Sequence, residues 1–366
     1  MNAMSEKKQK MTIADIARLA EVDKAVVSKI INNARVIPAS REKIERVRKI
    51  IALYEYTPSS SARSLVTRRT RQILFLLSET TTQGIANEGF AQSLNGVIHA
   101  CRQKGYLCQI ESSDFSRIDN FMLPENLRCR SVDGCILTGG FAPEALRGIA
   151  AAGTPVVLIG GDPLAEELPV ISRSSARDYP ELLDYCRNKG HRRLWCLRGA
   201  GRNTGKYGDY MKDHPEMEIR LIDGSHLDRQ DEFYFGEKWA ELFCSLKENE
   251  RPTLIFGTYQ FCAAFASVTA KAGLRIPEDF SMISGEDTAL IRYQASPLTA
   301  FAPDFFESGV RAVELLCGII EKKITHAEAV KMAVEHPMET HFTERGSVKD
   351  INKNLTKTTD LREKVL

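Results

Sequence analysis

The sequence predicts an all-α helix-turn-helix domain followed by an α/β domain of two lobes, each built on a parallel sheet. Short amphipathic helices occupy residues 11–57, whereas from residue 72 apolar runs of strand length alternate with longer amphipathic stretches. The alternation occurs in two successive sets, which predicts two lobes. A chain of 366 residues is long enough for a small module and one large bilobed domain.

The charges of this chain are distributed unevenly. The formal net charge is +2, yet residues 1–71 contain 16 Lys and Arg against 7 Asp and Glu, which leaves 34 against 41 in the remainder. A basic segment that also contains patterned helices favours a nucleic-acid partner, because folding fixes where the positive charges lie. No apolar run approaches the roughly 20 residues that span a bilayer, and no signal core is evident. We therefore expect a cytoplasmic protein.

Nine cysteines are scattered through apolar segments without a C-x-x-C pair. This distribution is typical of reduced core side chains and offers no metal-ligand spacing. The sequence therefore predicts neither a metal site nor a cofactor. The cysteines are Cys101, Cys108, Cys129, Cys135, Cys186, Cys196, Cys244, Cys262 and Cys317.

Two short helices joined by a tight turn are predicted at the start of the chain. Thr12 can cap a first helix, whose apolar residues recur at i, i+3, i+4 and i+7 from Ile13. After a break at 21–22, Asp23 can cap a second helix with an apolar face at Val27, Ile30 and Ile31. The opposite face carries Lys24, Ala25, Ser28 and Lys29.

A third amphipathic helix is predicted from Ser40 to about Tyr54. These helices could form a plain three-helix bundle with solvated charged faces. We favour DNA binding, because the second helix presents small and basic side chains at its N-terminal end. A reader of the major groove approaches the base edges with that end of the helix.

These motifs resemble the LacI/GalR family of bacterial regulators. The matching segments are T-I-A-D-I-A-R-L-A at 12–20, V-V-S-K-I-I-N at 26–32, Y-E-Y-T-P at 54–58 and A-R-S-L at 62–65. The resemblance implies base-reading roles for Lys24, Ala25 and Lys29, places Ser28 and Asn32 nearer the phosphates, and adds Thr12 to the DNA contacts. Glu21 and Asp23 depart from the family pattern, in which Gly and Ser or Thr are common at these positions.

A hinge helix and linker are expected at 58–71. Residues 59–65 would form only a marginal helix alone, because roughly 12 to 15 residues are needed for stability in water. The resemblance implies that two such helices pair in the minor groove, with contacts from Ser61 and Arg63 and with Leu65 wedged into a base step. The alternative is a flexible linker.

The effector-binding and dimerisation domain is predicted at 72–347, followed by a polar tail at 348–366 that we expect to be disordered. Chain crossovers between the lobes are expected near 172–177 and 296–301, and ligands are expected in the cleft between the lobes. The strands are predicted at 73–77, 106–110, 134–137, 155–159, 194–197, 219–222, 253–256 and 280–283.

The family resemblance continues through F-A-Q-S-L-N-G at 90–96, G-L-R-I-P-E-D-F-S at 273–281 and S-P-L-T at 296–299. It implies a periplasmic-binding-protein-like sensor in which His191 is a turn or cap residue. Family members that bind sugars carry three acid–amide or acid–acid pairs in the cleft, and of these only Asp287 is retained here. This loss argues against a neutral sugar. The predicted effector-binding residues are Phe90, Ser174, Arg202, Tyr259 and Asp287.

The nature of the effector stays open at this point. The sequence is consistent with two alternatives. The cleft could bind an anionic or aromatic ligand through Arg202, Tyr259 and Arg173, or it could bind no ligand. The segment A-G-R-N-T-G-K at 200–206 approaches a phosphate-binding P-loop, but Tyr207 replaces the required Ser or Thr. A transport-type binding protein would leave the first 71 residues unexplained. We expect a protein without enzymatic activity. We also expect a homodimer that binds palindromic operator DNA.

Overall fold

The computed structural model of this chain describes residues 11–31, 36–56, 69–78, 84–115, 121–160, 167–197, 204–223 and 231–353. The chain separates into two compact units, Met1–Arg71 and Gln72–Leu366. Among the described residues, no helix is long and apolar enough to cross a membrane.

The first unit contains the predicted helix-turn-helix and the third helix. A capping box starts the first helix, since Thr12 Oγ1 accepts the Asp15 N–H at 3.2 Å and the Asp15 carboxylate accepts the Thr12 N–H at 3.1 Å. Ile16, Val27 and Val47, one from each helix, meet in a core with no exposure to solvent. The helices are α1 (Ile13–Ala20), α2 (Lys24–Ile31) and α3 (Arg41–Leu53).

The first lobe of the second unit is a five-stranded parallel sheet in the order β2-β1-β3-β4-β5. Alternate side chains of the interior strand β1 are buried on opposite faces of the sheet, because helices cover both faces. The strands are β1 (Gln72–Ser78), β2 (Leu107–Ser113), β3 (Gly134–Gly139), β4 (Val156–Ile159) and β5 (Val170–Ile171). The helices are α4 (Glu88–Gln103), α5 (Glu125–Arg128), α6 (Pro143–Ala151), α12 (Phe305–Ile320) and α13 (His326–Glu335).

Helices α4 and α12 cover one face of this sheet and touch each other closely. A Cβ atom on Gly96 would collide with the Phe306 carbonyl, and one on Gly309 would collide with the Ser93 carbonyl. Glycine is therefore required at both positions, because the two backbones approach without room for a side chain.

The second lobe is a six-stranded sheet in the order β11-β10-β9-β8-β6-β7, parallel except for the β10–β11 pair. Helices α9 and α10 pack on one face, and α7 and α8 pack on the other. The strands are β6 (Arg193–Leu197), β7 (Glu218–Ile222), β8 (Leu254–Gly257), β9 (Ser281–Ser284), β10 (Thr299–Pro303) and β11 (Thr340–Thr343). The helices are α7 (Ser175–Asn188), α8 (Thr204–Asp213), α9 (Glu232–Ser245), α10 (Tyr259–Lys271) and α11 (Ala289–Arg292).

The chain crosses between the lobes three times, at 172–174, 303–304 and 338–339. The first crossing connects β5 to α7. The second comes later than 296–301, because Thr299–Pro303 still forms β10 inside the second sheet. The third crossing, which leads into the antiparallel strand β11, was not located by the sequence.

A buried carboxylate joins two of these crossings. Asp178, whose side chain is 4% exposed, accepts a hydrogen bond from Thr340 Oγ1 at 2.6 Å and pairs with Arg177 at 3.0 Å and Arg173 at 3.6 Å. Arg173 also forms an isolated β-bridge with Met338. The first and third crossings are thus held side by side.

The start of the predicted disordered tail packs on the second lobe as far as residue 353. His191, which lies in the predicted turn between α7 and β6, is 1% exposed and hydrogen-bonds to Thr253 Oγ1 at 3.0 Å and the Lys349 carbonyl at 3.1 Å. The Ile351 N–H donates to the Lys189 carbonyl at 2.8 Å. Residues beyond 353 lie outside the described part of the chain.

All nine cysteines are free, and six of them are buried. Cys108 and Cys244 are partly exposed. Cys129 differs from the predicted core placement, because it caps the end of the short helix α5 and lies in solvent. Among the described residues, no group of His, Cys, Asp or Glu side chains could hold a metal ion.

Acid should destabilise the second lobe through His191. Burial lowers the pKa of His191 to about 4, against an ordinary value of 6.5. The stability that the neutral ring contributes is therefore present above pH 6.5 and is lost as the pH falls towards 4. This linkage amounts to roughly 2–3 kcal/mol of unfolding free energy. We expect the loss between pH 6.5 and 4 to be smaller in His191→Gln than in the wild type.

Urea unfolding followed by tryptophan fluorescence measures this effect, because both tryptophans, Trp195 and Trp239, lie in the second lobe. The exposed His341 of the same lobe provides the control His341→Gln, which should keep the wild-type pH dependence. If the stability of His191→Gln fell with acid as steeply as that of the wild type, His191 would not be the cause of the acid destabilisation.

Candidate functional site

Helix α2 presents the predicted base-reading side chains to solvent. Val26, Val27 and Ile30 are buried against the other two helices, and this fixes the rotation of α2. As a result Lys24 and Ala25 are exposed on the opposite side. Lys29 is also exposed, and Ser28 is partly exposed. A rigid helix with small and basic residues on its free face suits entry into the major groove.

Asp23 is exposed, and its carboxylate binds the first turn of α2. Its Oδ1 atom accepts the Ala25 N–H at 2.7 Å, and its carbonyl accepts the Val26 N–H at 2.9 Å. The carboxylate thereby stabilises the helix start. This orientation is the one that an acidic cap beside a DNA phosphate requires.

Thr12 is exposed, and its hydroxyl donates to the Asp15 carboxylate at 2.6 Å. The other predicted DNA contacts, Asn32, Ser61, Arg63 and Leu65, lie outside the described residues, as does Arg202 of the predicted effector site. The DNA and effector roles of these residues stay predictions.

The two lobes of the second unit touch across their cleft at the start of α4. Both carboxylate oxygens of Glu88 accept the N–H of Ala289 in the second lobe, at 2.9 and 3.1 Å. The Glu88 N–H donates to the hydroxyl of Tyr259 at 3.2 Å. Asn87 caps α4 and fixes where this turn points. We call the Glu88–Ala289–Tyr259 contact the interlobe latch.

Two more carboxylates gather near Tyr259 on the second lobe. Glu286 follows β9, and its Oε2 atom accepts the Tyr259 N–H at 3.2 Å. Burial, and then repulsion from Glu232, raises the pKa of Glu286 to about 7. Burial also raises the pKa of Glu232, in the first turn of α9. Glu88, Glu232 and Glu286 thus surround one tyrosine at the carboxyl ends of the strands.

Arg173 acts electrostatically on Glu286, and it already has other partners. Its guanidinium donates to the Gly285 carbonyl at 3.4 Å and the Phe301 carbonyl at 3.0 Å, and it pairs with Asp178. The positive charge of Arg173 is therefore already used where the first crossing meets the sheet of the second lobe.

The predicted effector residues take up different places. Tyr259 lies at the centre of the carboxylate group, Phe90 is partly buried against the first-lobe core, and Ser174 is the N-cap of α7. Asp287 lies apart from the group, because its carboxylate is bound by Arg345 at 2.6 and 2.8 Å and by Arg292 at 3.3 Å.

Sequence reasoning missed Glu88, Glu232 and Glu286. One signal was available for Glu286, since an acidic residue shortly after a predicted strand lies at the ligand-binding edge of a parallel sheet. Glu88 and Glu232 stand in the first turns of helices, where acidic residues are common for helix stability alone. Their convergence on Tyr259 depends on how the lobes pack.

Comparison with known proteins identifies the family. A model of bacterial regulatory proteins of the lacI family matches residues 12–59, and a model of the periplasmic binding protein-like domain matches residues 183–348. The ribose operon repressor of Haemophilus influenzae is 30% identical over 317 residues, covering 83% of this chain and 90% of that protein. The chain belongs to the LacI family of bacterial regulatory proteins.

Other relatives agree with this membership. The transcriptional repressor PurR of Photobacterium profundum is 28% identical over 359 residues, covering 93% of this chain and 99% of that protein. A structure of the lac repressor dimer bound to operator and the anti-inducer ONPF has a TM-score of 0.73 at 18% identity and covers 93% of this chain and 100% of that one. The predicted family and fold class are confirmed, and this LacI-family protein is a DNA-binding transcription regulator.

Replacing Lys29 tests the predicted base reading. Lys29 lies on the exposed face of α2, so Lys29→Ala should remove a contact without disturbing the core. We expect the variant to bind its preferred DNA roughly 1–3 kcal/mol more weakly and with relaxed sequence preference. If the lysine reaches a phosphate instead, the salt slope should fall by about 1 with the preference unchanged.

Fluorescence anisotropy of labelled duplexes at several salt concentrations separates these two roles. The exposed Lys247 of the second lobe supplies the control Lys247→Ala, which should bind like the wild type. Unchanged affinity, preference and salt slope in Lys29→Ala would show that Lys29 does not contact DNA.

Proposed function

We propose that this LacI-family protein is a homodimeric, cytoplasmic transcriptional repressor without enzymatic activity, whose operator affinity is set by a small molecule in the interlobe cleft. The observation that carries the proposal is the interlobe latch. It joins the lobes by hydrogen bonds at the place where a ligand between the sheets would lie. A molecule bound there has to favour one spacing of the lobes over another.

The DNA-binding part of the proposal rests on α2 and on symmetry. A two-fold dimer would present two copies of Lys24, Ala25 and Lys29, and these would meet two half-sites of a palindrome. The relatives named above are repressors, and the lac repressor in the matching structure is a dimer on operator DNA.

The control part rests on differential affinity. A ligand shifts an equilibrium between open and closed lobes only as far as it binds one state better than the other. The crossings at 172–174, 303–304 and 338–339 allow the lobes to move as bodies, while the network around Asp178 keeps two of these crossings in register. The spacing of the lobes would then set how well the operator-binding domains fit DNA.

The alternative functions have less support. Tyr207, at the position where a P-loop needs a Ser or Thr hydroxyl, is 4% exposed and packs its ring 4.8 Å from that of Tyr179 in the second-lobe core. A buried aromatic side chain at this position does not suit phosphate and Mg²⁺ binding. The helix-turn-helix would have no role in a transport-type binding protein.

Selection of bound duplexes from a random pool, at a stated salt concentration, tests the DNA-binding part. We expect a two-fold symmetric motif to be recovered. Binding that depends only on salt and not on sequence would contradict specific operator recognition.

Removing the latch carboxylate tests the control part. Charge-assisted hydrogen bonds contribute roughly 1.5–3 kcal/mol, so Glu88→Ala should favour open lobes. We expect a larger radius of gyration in small-angle X-ray scattering, together with a change in operator affinity of roughly fivefold or more. Glu144, an exposed glutamate in the first turn of α6, gives the matched control Glu144→Ala.

The latch has no regulatory role if Glu88→Ala scatters like the wild type and binds operator with the same affinity. The control Glu144→Ala should show neither change, which separates loss of the latch from loss of one negative charge in the first lobe.

A further inference from the structure

We infer that the ligand of the interlobe cleft is a cation, an organic amine or guanidinium compound held by Glu88, Glu232 and Glu286 around Tyr259. This inference rests on the proposed function of the cleft as the effector site. The place of the site follows from the fold, because ligands of parallel α/β sheets bind beyond the carboxyl ends of the strands. The charge of the ligand follows from the side chains found there.

The carboxylates come from both lobes. Glu88 starts α4 in the first lobe, and its backbone N–H lies 3.2 Å from the Tyr259 hydroxyl. Glu286 follows β9 in the second lobe, and its carboxylate lies 3.2 Å from the Tyr259 backbone nitrogen. Glu232 starts α9 and is close enough to Glu286 and Tyr259 to act on both electrostatically. The hydroxyl end of this tyrosine thus contacts the Glu88 backbone and the backbone end contacts the Glu286 carboxylate, and all three glutamates act on the tyrosine electrostatically.

The positive charges near the cleft are already paired within the described part of the chain. Arg173 is shared between Asp178 and two backbone carbonyls, and Arg345 and Arg292 hold Asp287. Arg173 acts on Glu286 as a positive charge, but burial and repulsion from Glu232 outweigh it, so this carboxyl is only partly compensated. An ammonium or guanidinium group would supply further positive charge and donate hydrogen bonds to these oxygens.

A buried hydroxyl beside the latch is a further acceptor. Thr288 is 1% exposed, and its Oγ1 atom has no hydrogen-bond partner among the described residues. Thr288 precedes Ala289, the residue whose N–H meets Glu88. A buried polar atom without a partner is rare and calls for one, such as the N–H donor of an amine.

The ionisation of Glu286 gives an independent way to detect a bound cation. Its pKa of about 7 means that the carboxyl is partly protonated at neutral pH. Glu232, Glu88, Arg173 and the Tyr259 N–H face it from the neighbouring elements. A bound cation stabilises the carboxylate and lowers this pKa, so binding should release protons near pH 7 and become tighter as the pH rises from 6 to 8.

Three sugars that share a ring but differ in charge, together with two open-chain amines, test the inference. We would titrate the full-length protein with glucosamine, glucose and glucose 6-phosphate, and with the open-chain amines putrescine and agmatine, by calorimetry at constant ionic strength. At least one amine should bind, with glucose and glucose 6-phosphate much weaker. Titration of putrescine or agmatine, which stay protonated near neutral pH, in two buffers of different ionisation enthalpy should show proton release from the protein.

The matched variants are Glu286→Gln and Glu278→Gln, the second at an exposed glutamate of the same lobe. Glu286→Gln should weaken amine binding roughly ten- to hundredfold and abolish its pH dependence, whereas Glu278→Gln should change neither. The proton-release measurement on the wild type stands even if Glu286→Gln fails to fold.

The inference is overturned if only glucose or glucose 6-phosphate binds, if no amine binds, or if an amine binds without proton release and equally well to Glu286→Gln. The proposed function is tested separately by operator affinity. Operator binding that responds to a neutral or anionic ligand alone would keep the regulator and remove the cationic effector. An amine that binds the cleft but leaves operator affinity unchanged would support the cation site and contradict the proposed control.

Discussion

The buried carboxylate of Asp178 is the constraint on which the two-lobed unit depends. A charge in this position is tolerated only with close partners, and Arg173, Arg177 and Thr340 provide them. These partners come from the first crossing, helix α7 and the strand after the third crossing. Because Arg173 also binds the Gly285 and Phe301 carbonyls, the same network reaches the residue after β9 and the middle of β10.

The cleft combines an interlobe latch with an excess of acid. Glu88 reaches from one lobe to the backbone of Ala289 in the other, so the separation of the lobes and the electrostatics of the cleft depend on one side chain. The buried acids Glu232 and Glu286 repel each other, and any positive partner relieves that repulsion. In such a regulator, Glu88 would both respond to the charge of the ligand and set how far the two lobes close.

The sequence predicted local features well and long-range convergence poorly. Thr12 and Asp23 cap their helices as expected, because capping depends on residues two or three positions away. The strands β5, β10 and β11 were not predicted, and β5 has only two residues, which is too short to carry a pattern. Glu286 was passed over for its neighbour Asp287, which only the position of Arg345, far along the chain, shows to be internally paired.

Hydrogen–deuterium exchange at the Ala289 amide, with and without operator DNA and with and without a cleft ligand, is the most direct test of the account. This amide donates to Glu88 across the cleft, so its protection reports the latch itself. We expect operator and ligand each to change the exchange rate of this amide, and we expect Glu88→Ala to remove both responses. Exchange that is indifferent to operator and ligand would contradict the coupling of the cleft to DNA binding.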